Sequence, residues 1–320
     1  MSEESAERTL MGEAPEFTAA QVAEHAGLSL ERARKLWRIL GFPEHGDEAA
    51  YTRADADALR VVASLLDEGV ISFDVALNVV RGVGLTMARL ADWEVGELAH
   101  LLEGRYAEEA EAASVQPATW AIERFGPRFE ELLLYAWRSH LNAAVVRVQA
   151  ARAIDSDPHT TDLSVGFADI VGFTALSNEV TRERIGELVE IFEARCADVI
   201  NREHGRLIKS MGDAVLFVND DAMAAFTTAE GIINVIGRDP RMPDVRVGLA
   251  TGGVVMRMGD VFGPPVNMAA RLTQVARRNR IIVDHATADA LPKDLIESRP
   301  LPPRPVRGFG VVEPVAVRRA

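Results

Sequence analysis

Two aspartates, each inside an apolar segment, constrain this chain more than any other feature of its sequence. Asp169 lies in VGFADIVGFTALS (residues 165–177), and Asp213 lies in GRLIKSMGDAVLF (residues 205–217). Both segments read as strands that end at a glycine-containing turn. A buried carboxylate is unfavourable unless it is paired or bound to metal, so two that meet across neighbouring strands predict a two-metal site. The structural alternative is that each aspartate only caps its turn.

Composition sets the class of protein. The 320 residues are 48% hydrophobic and 26% charged, which is typical of a globular chain with two domains. A net charge of −13 argues against a chain-wide grip on nucleic acid or anionic lipid. Cys196 is the single cysteine, which excludes an intrachain disulfide framework and a zinc cluster. The N-terminus lacks the pattern of a signal peptide and no apolar run reaches membrane-spanning length, so we expect a cytoplasmic protein without a membrane span.

The sequence changes character near residue 155. Before it, the apolar periodicity is helical; after it, β-rich runs alternate with helical stretches. We therefore predict an all-α domain at residues 1–153, a polar linker at 154–162 and an α+β domain at 163–320. The order β-α-α-β-β-α-β in the second domain, with residues 211–213 at a hairpin tip, predicts a ferredoxin-like sheet with helices on one face.

The first domain opens with a helix-turn-helix pattern. Its helices are predicted at Ala19–His25 and Leu30–Leu40, with Ser29 as the N-cap of the second. Further helices are predicted at Arg53–Glu68, Ser72–Gly82, Trp93–Leu102 and Phe129–Arg152. The last carries an apolar stripe, which predicts packing, within the chain or against a second subunit: Leu133, Trp137, Leu141, Ala144, Val148 and Ala151.

Three further groups of residues indicate phosphate chemistry. Gly172, Phe173 and Thr174 open a helix after Asp169, and backbone N–H groups at a helix N-terminus favour anions. Lys209 is one of only three lysines in an arginine-rich chain, which indicates a need for a compact ammonium, or else a lysine at a sheet edge. Strand alternation predicts that Lys209 faces the same side as Leu207.

Asn267 and Arg271 form the third group. They are four residues apart on a predicted helix, so they share one face and could bind a nucleotide together. A solvated helix face is the ordinary alternative for such a pair.

In combination these segments resemble the class III nucleotidyl cyclases, the adenylyl and guanylyl cyclase family, over roughly residues 160–318. FADIVGFT (167–174) is similar to the family's first metal segment and KSMGD (209–213) to its hairpin. RVGLATGG (246–253) resembles its strand-and-glycine segment, and DVFGPPVNMAAR (260–271) its purine and transition-state segment.

The resemblance implies a role for each matching residue. Asp169, Ile170 and Asp213 would hold two Mg²⁺ or Mn²⁺ ions per site. Lys209 and Asp260 would read the purine, Asn267 would orient the ribose, and Arg271 would stabilise the reacting phosphate. Gly172, Phe173, Thr174 and Arg307 would bind the substrate's phosphates, Arg307 standing where some relatives have a lysine.

The polarity of the purine readers favours ATP. Lysine only donates and ionised aspartate only accepts, which fits N1 and the 6-amino group of adenine and clashes with guanine. The resemblance therefore implies conversion of ATP to 3′,5′-cyclic AMP and pyrophosphate by two-metal in-line attack of the ribose 3′-hydroxyl. It also implies a head-to-tail homodimer with sites at the interface. A guanylyl cyclase is the alternative within the family.

Residues 1–150 resemble the helical regulatory domain that precedes the catalytic domain in acid-activated bacterial adenylyl cyclases. That resemblance implies gating through the long helix, with His140 as a candidate pH sensor or, alternatively, a solvent-facing histidine. A lipid or another small molecule is an open alternative as the signal.

A second function class is a helix-turn-helix regulator that binds DNA and carries a cyclase-like sensory domain. The pattern resembles a MerR-type domain in which residues 51–57 begin a wing, and cations cluster on the second helix: Arg32, Arg34, Lys35 and Arg38. The acidic composition disfavours this reading, and we do not expect nucleic-acid binding.

Overall fold

The structure is a computed structural model that describes residues 12–104, 117–153, 161–257 and 259–320. The chain divides into two compact units between Ala144 and Val145. Most of the predicted linker, residues 154–160, lies outside the described residues. Among the helices of the described ranges, none is long and apolar enough to cross a membrane.

The first unit begins with the predicted helix-turn-helix. Helices α1 (Ala19–Ala26) and α2 (Leu30–Leu40) are joined by Gly27, whose φ of 75° ends α1 in the left-handed region. The Ser29 side chain accepts a hydrogen bond from the backbone N–H of Arg32, which confirms the predicted N-cap. Behind these helices the Trp37 ring stacks on Tyr51 at 4.4 Å between centroids, and this pair anchors the small core of the unit.

The segment predicted to begin a wing is helical instead. Tyr51 forms one isolated bridge with Phe17, and helix α3 (Arg53–Asp67) follows at once. Thr52 and Asp55 form a capping box at its start, each accepting from the other's backbone N–H. This cap commits residues 53–57 to the helix.

The two helices predicted at Ser72–Gly82 and Trp93–Leu102 form one continuous helix. Helix α4 runs unbroken over Phe73–Gly104 and includes residues 83–92, which lie between the two predicted helices. Gly84 has a packing role, because a Cβ there would lie 2.6 Å from the carbonyl oxygen of Leu40 at the end of α2. The close approach of the two helices outweighs the low helix propensity of glycine.

Helix α5 (Pro117–Ala153) is longer than predicted. The predicted start at Phe129 lies two residues after Pro127, but a proline can lie inside a helix at the loss of one backbone hydrogen bond. The stripe residues Trp137, Leu141 and Val148 are about half exposed in the part of the chain that the structure describes. Both readings of the stripe, packing within the chain and packing against a second subunit, stay predictions.

The second unit is an α+β fold around an eight-stranded sheet. Its elements in chain order are β1 (Thr161–Ile170), α6 (Phe173–Leu176), α7 (Arg182–Arg202), β2 (Arg206–Ser210), β3 (Ala214–Asn219), α8 (Ala222–Gly237), β4 (Val245–Arg257), β5 (Asp260–Phe262), α9 (Pro264–Val275), β6 (Ile281–Val283), α10 (His285–Ala290), β7 (Ile296–Pro300), β8 (Arg304–Val306), β9 (Gly310–Val312) and β10 (Val315–Arg319). The strand order in the sheet is β2-β3-β1-β4-β6-β10-β7, with β5 paired to β4. The order of elements from β1 to β4 confirms the predicted β-α-α-β-β-α-β pattern.

The two faces of the sheet have different covers. Helices α7 and α8 bury one face through a core that includes Phe192, Phe217 and Phe226. Helix α9 packs on the opposite face, against β4 and β1, which the expectation of helices on one face did not include. We call this second face the site face, because strand alternation places Asp169 and Arg246 on it.

Candidate active site

Asp169 and Asp213 meet at one end of the central strands. Asp169 on β1 is paired in register with Ala214 on β3, and the Ile170 N–H donates to the backbone oxygen of Asp213 at 2.9 Å. Burial raises the pKa of the Asp169 carboxyl above its usual value, the hydrogen bond from Arg246 opposes that rise, and repulsion from Asp213 adds to it. The fold thus brings two acidic residues together at the end of neighbouring strands, where the negative charge of Asp213 adds to the rise in the pKa of Asp169.

Arg246 supplies a cation at this point. It is the register partner of Asp169 across the β1–β4 ladder, and its Nε and Nη2 lie 2.7 and 2.6 Å from Oδ2 of Asp169. In the sequence, Arg246 belongs to the segment 246–253 and has no predicted role of its own. A signal existed, because Arg246 is a charge in the apolar strand Val245–Ala250, as Asp169 is in its own strand.

The predicted phosphate turn follows directly. Gly172 has a φ of 74° and precedes the four-residue helix α6, so the turn needs a residue without a Cβ there. Phe173 packs against the core of the sheet, whereas Thr174 is exposed and its carbonyl accepts from the side chains of Ser177 and Asn178. The turn is anchored by Phe173 and leaves backbone at its N-terminal end exposed.

Lys209 and Asp260 form an ion pair, with Nζ 2.6 Å from Oδ2. The Asp260 Oδ1 accepts a second hydrogen bond, from the N–H of Val261 at 2.8 Å. Burial alone would raise the pKa of Asp260, but the hydrogen bonds from Lys209 and the Val261 N–H outweigh it. The pKa is therefore lowered, and Asp260 remains an ionised acceptor. The side chains are 37% and 30% exposed, which leaves both accessible to a ligand.

A β-bulge gives Lys209 this position. Leu207 pairs with Phe217, but Lys209 pairs with Leu216, because the register shifts between them. Opposed residues share a face, so Leu207 lies with the α7–α8 core and Lys209 lies on the site face. The prediction that both share a face was therefore wrong, since an extra residue in one strand reverses the alternation.

Asn267 and Arg271 lie on α9 as predicted, on its exposed side. Together with Arg307 they line a cavity of about 490 Å³, completed by Gly263, Pro264, Gly308 and Phe309. Asp169, Asp213 and Lys209 do not line it. Gly308 and Phe309, which follow the predicted Arg307 in the β8–β9 turn, were not among the predicted site residues.

Glycines of β4 seat α9 on the sheet. A Cβ at Gly248 would lie 2.3 Å from the Thr273 nitrogen, and one at Gly252 would meet Pro265 at 3.2 Å. The Thr273 hydroxyl also donates to the Phe167 carbonyl oxygen of β1 at 3.3 Å. The glycines of the segment 246–253 therefore permit the close approach that fixes Asn267 and Arg271 over the site face.

The donor set fits hard divalent cations. Asp169 and Asp213 present carboxylate oxygens, which Mg²⁺ and Mn²⁺ prefer, and their mutual repulsion is relieved by a cation. Within the described residues, no cluster of three or more His, Cys, Asp or Glu side chains surrounds a possible metal position. A metal held by this pair would need backbone, water or substrate oxygens to complete its coordination.

The candidate regulatory and DNA-contacting residues lie in the helical unit. His140 is exposed, on the same helix as the exposed Trp137 and Leu141. The four cations proposed for DNA have partners inside the unit: Arg32 and Lys35 lie over the Phe73 ring, Arg34 is 3.9 Å from Asp47, and Arg38 pairs with Glu44. Each of the four cations therefore has a partner within the helical unit.

Comparison of the sequence with known proteins identifies a family for this chain. The adenylate and guanylate cyclase catalytic domain matches residues 156–317. An adenylate cyclase of Streptomyces coelicolor is 38% identical over 98% of this chain and 88% of its own length. One from Streptomyces griseus is 40% identical over 89% and 71%, and a pH-sensitive adenylate cyclase of Mycobacterium tuberculosis is 29% identical over 89% and 73%. The chain therefore belongs to the class III adenylate and guanylate cyclase family.

Proposed function

We propose that this chain is an adenylate cyclase that converts ATP to 3′,5′-cyclic AMP and pyrophosphate. The observation that carries the choice of ATP is the Lys209–Asp260 pair at 2.6 Å. It holds a donor-only side chain beside an acceptor-only one. Adenine offers an acceptor at N1 and a donor at its amino group, and guanine offers the reverse, so this pair complements adenine alone. The names of the Streptomyces relatives agree with this choice.

The remaining residues have roles that follow from their chemistry. Arg271 and Arg307 point into one cavity, where their guanidinium groups would bind the negatively charged phosphates. Asn267, on the same helix face as Arg271, would hydrogen-bond the ribose and align its 3′-hydroxyl with the α-phosphorus. Asp169 and Asp213, with Ile170 beside them, would hold two Mg²⁺ or Mn²⁺ ions. Bound metal supplies Lewis-acid stabilisation of the attacking and leaving oxygens.

A head-to-tail homodimer would bring the two groups of residues together around one nucleotide. The cavity lined by Asn267, Arg271 and Arg307 includes neither Asp169 nor Asp213. A second copy of the chain could supply its aspartates to that cavity. The aspartates of the first chain would then reach the equivalent cavity of the second. Each dimer would then contain two equivalent sites, as two-fold symmetry requires.

Complementation tests the activity and the composite site together. Asp169→Ala and Arg271→Ala should each be nearly inactive, and a mixture of the two should regain activity, because a mixed dimer has one intact site. Subunit exchange is verified by differently tagged chains. No recovery despite exchange would rule out the composite site, and faster turnover of GTP than of ATP would rule out the assignment of substrate.

The helical unit is proposed to gate the catalytic unit. Helix α5 ends at Ala153, eight residues before β1 begins in the sequence, and a continuous helix suits the transmission of a two-state change. The pH-sensitive relative from Mycobacterium tuberculosis, which aligns with 89% of this chain, makes pH the first signal to test. His140 on α5 is the candidate sensor, because a histidine titrates near neutral pH.

A further inference from the structure

Arg246 makes the closest charged contact in the metal-binding region. Both its Nε and its Nη2 contact one atom, Oδ2 of Asp169, at 2.7 and 2.6 Å. The two residues are directly paired across the β1–β4 ladder, and their side chains are 16% exposed for Asp169 and 27% for Arg246. A pair that is set by strand register and partly shielded from water is a built feature of the site.

We infer that Arg246 is an internal counter-cation, which occupies Oδ2 of Asp169 in the metal-free protein and is displaced from that oxygen when a divalent cation binds. The inference rests on the proposed assignment of Asp169 as a metal ligand. Without metal, Arg246 neutralises a carboxylate that lies next to Asp213. With metal, two cationic groups cannot share one oxygen without strong repulsion, so one of them leaves.

The sign of the effect follows from this exchange. Removing the guanidinium frees Oδ2 and removes a positive charge beside the incoming ion, and both changes strengthen metal binding. If Arg246 instead oriented Asp169 for the metal, as hydrogen-bond partners of metal ligands do, its removal would weaken binding, commonly by about 10- to 100-fold. The two roles therefore predict opposite shifts in affinity.

The test is Mn²⁺ binding to the full-length, nucleotide-free protein, followed by the paramagnetic resonance of free Mn²⁺. Arg246→Gln should bind Mn²⁺ about fivefold or more tightly than wild type, a coupling in the range usual between linked ligands. Its melting temperature in EDTA should fall, and the rise on adding Mn²⁺ should be larger than for wild type. The matched control is Arg278→Gln, an arginine 75% exposed and 3.5 Å from Asp244, which should leave Mn²⁺ affinity unchanged.

Asp169→Asn separates the two levels of the proposal. If this variant binds Mn²⁺ as wild type does, Asp169 is not a ligand and the proposed metal site fails. If it loses binding while Arg246→Gln binds with equal or lower affinity than wild type, only the counter-cation role fails. Should Arg246→Gln not fold, Arg246→Met, which also removes the charged group from Oδ2, must bind more tightly than wild type, and equal or weaker binding overturns the inference.

Discussion

Gly248→Ala tests whether the seating of α9 controls catalysis. A Cβ at this position would lie 2.3 Å from the Thr273 nitrogen and 2.4 Å from the Ala269 carbonyl oxygen. Ordinary van der Waals contacts begin at about 3.4 Å, so the strand and the helix must separate by about 1 Å. Both contacted atoms belong to the backbone of α9, so no side-chain rotation relieves the clash.

The displacement has two calculable effects. Overpacking of this size destabilises a domain by about 1–3 kcal/mol, which lowers its melting temperature. Because α9 carries Asn267 and Arg271, a shift of about 1 Å should also reduce kcat by about 10²-fold. Lys209 and Asp260 lie on β2 and β5, outside α9, so the preference for ATP over GTP should remain.

The assay compares kcat and KM for ATP and GTP with the melting temperature of the same preparation. The matched control is Gly186→Ala in α7, where an added Cβ meets nothing within 4 Å. In a helix interior that change should stabilise by about 0.5–1 kcal/mol and leave kcat unaltered. Wild-type kcat and melting temperature in Gly248→Ala would refute the packing argument.

Four other predictions concern specificity, pH and gating. Asp260→Asn should reduce the ATP-to-GTP ratio of kcat/KM, because both carboxylate oxygens accept hydrogen bonds and an amide has one acceptor; an unchanged ratio contradicts base reading. Burial raises the pKa of Asp169, so Mn²⁺ affinity measured by calorimetry should fall in acid at a higher pH than for an ordinary aspartate. Truncation to residues 155–320 should change specific activity at matched concentration, and equal activity across pH would exclude gating. His140→Ala should alter the pH–activity profile of the full chain. If this variant keeps the wild-type profile while the truncated chain has lost it, another residue senses pH.

Much of the second unit could be predicted from local sequence. Strand and helix periods, the glycine turns and the hairpin tip gave its element order from β1 to β4, because these signals act over a few residues. Errors arose where packing between distant segments decided the outcome. Helix α4 continues through Gly84, which lies close against Leu40, and helix α5 continues through Pro127. Neither outcome can be seen from a short stretch of sequence.

The charged residues of the candidate site can be recognised from the sequence, but their partners cannot. A charge in an apolar strand signals that a partner exists, and Asp169, Lys209 and Arg246 all gave that signal. The identity of the partner depends on sheet register, which brings together strands far apart in sequence. Asp169 meets Arg246 because β4 pairs with β1 in one register, and a slip of one residue would turn Arg246 to the opposite face. Lys209 likewise meets Asp260 only because of the bulge at Ile208. Sequence can therefore identify the residues that need partners, whereas the pairing that makes them a site is a property of the assembled sheet.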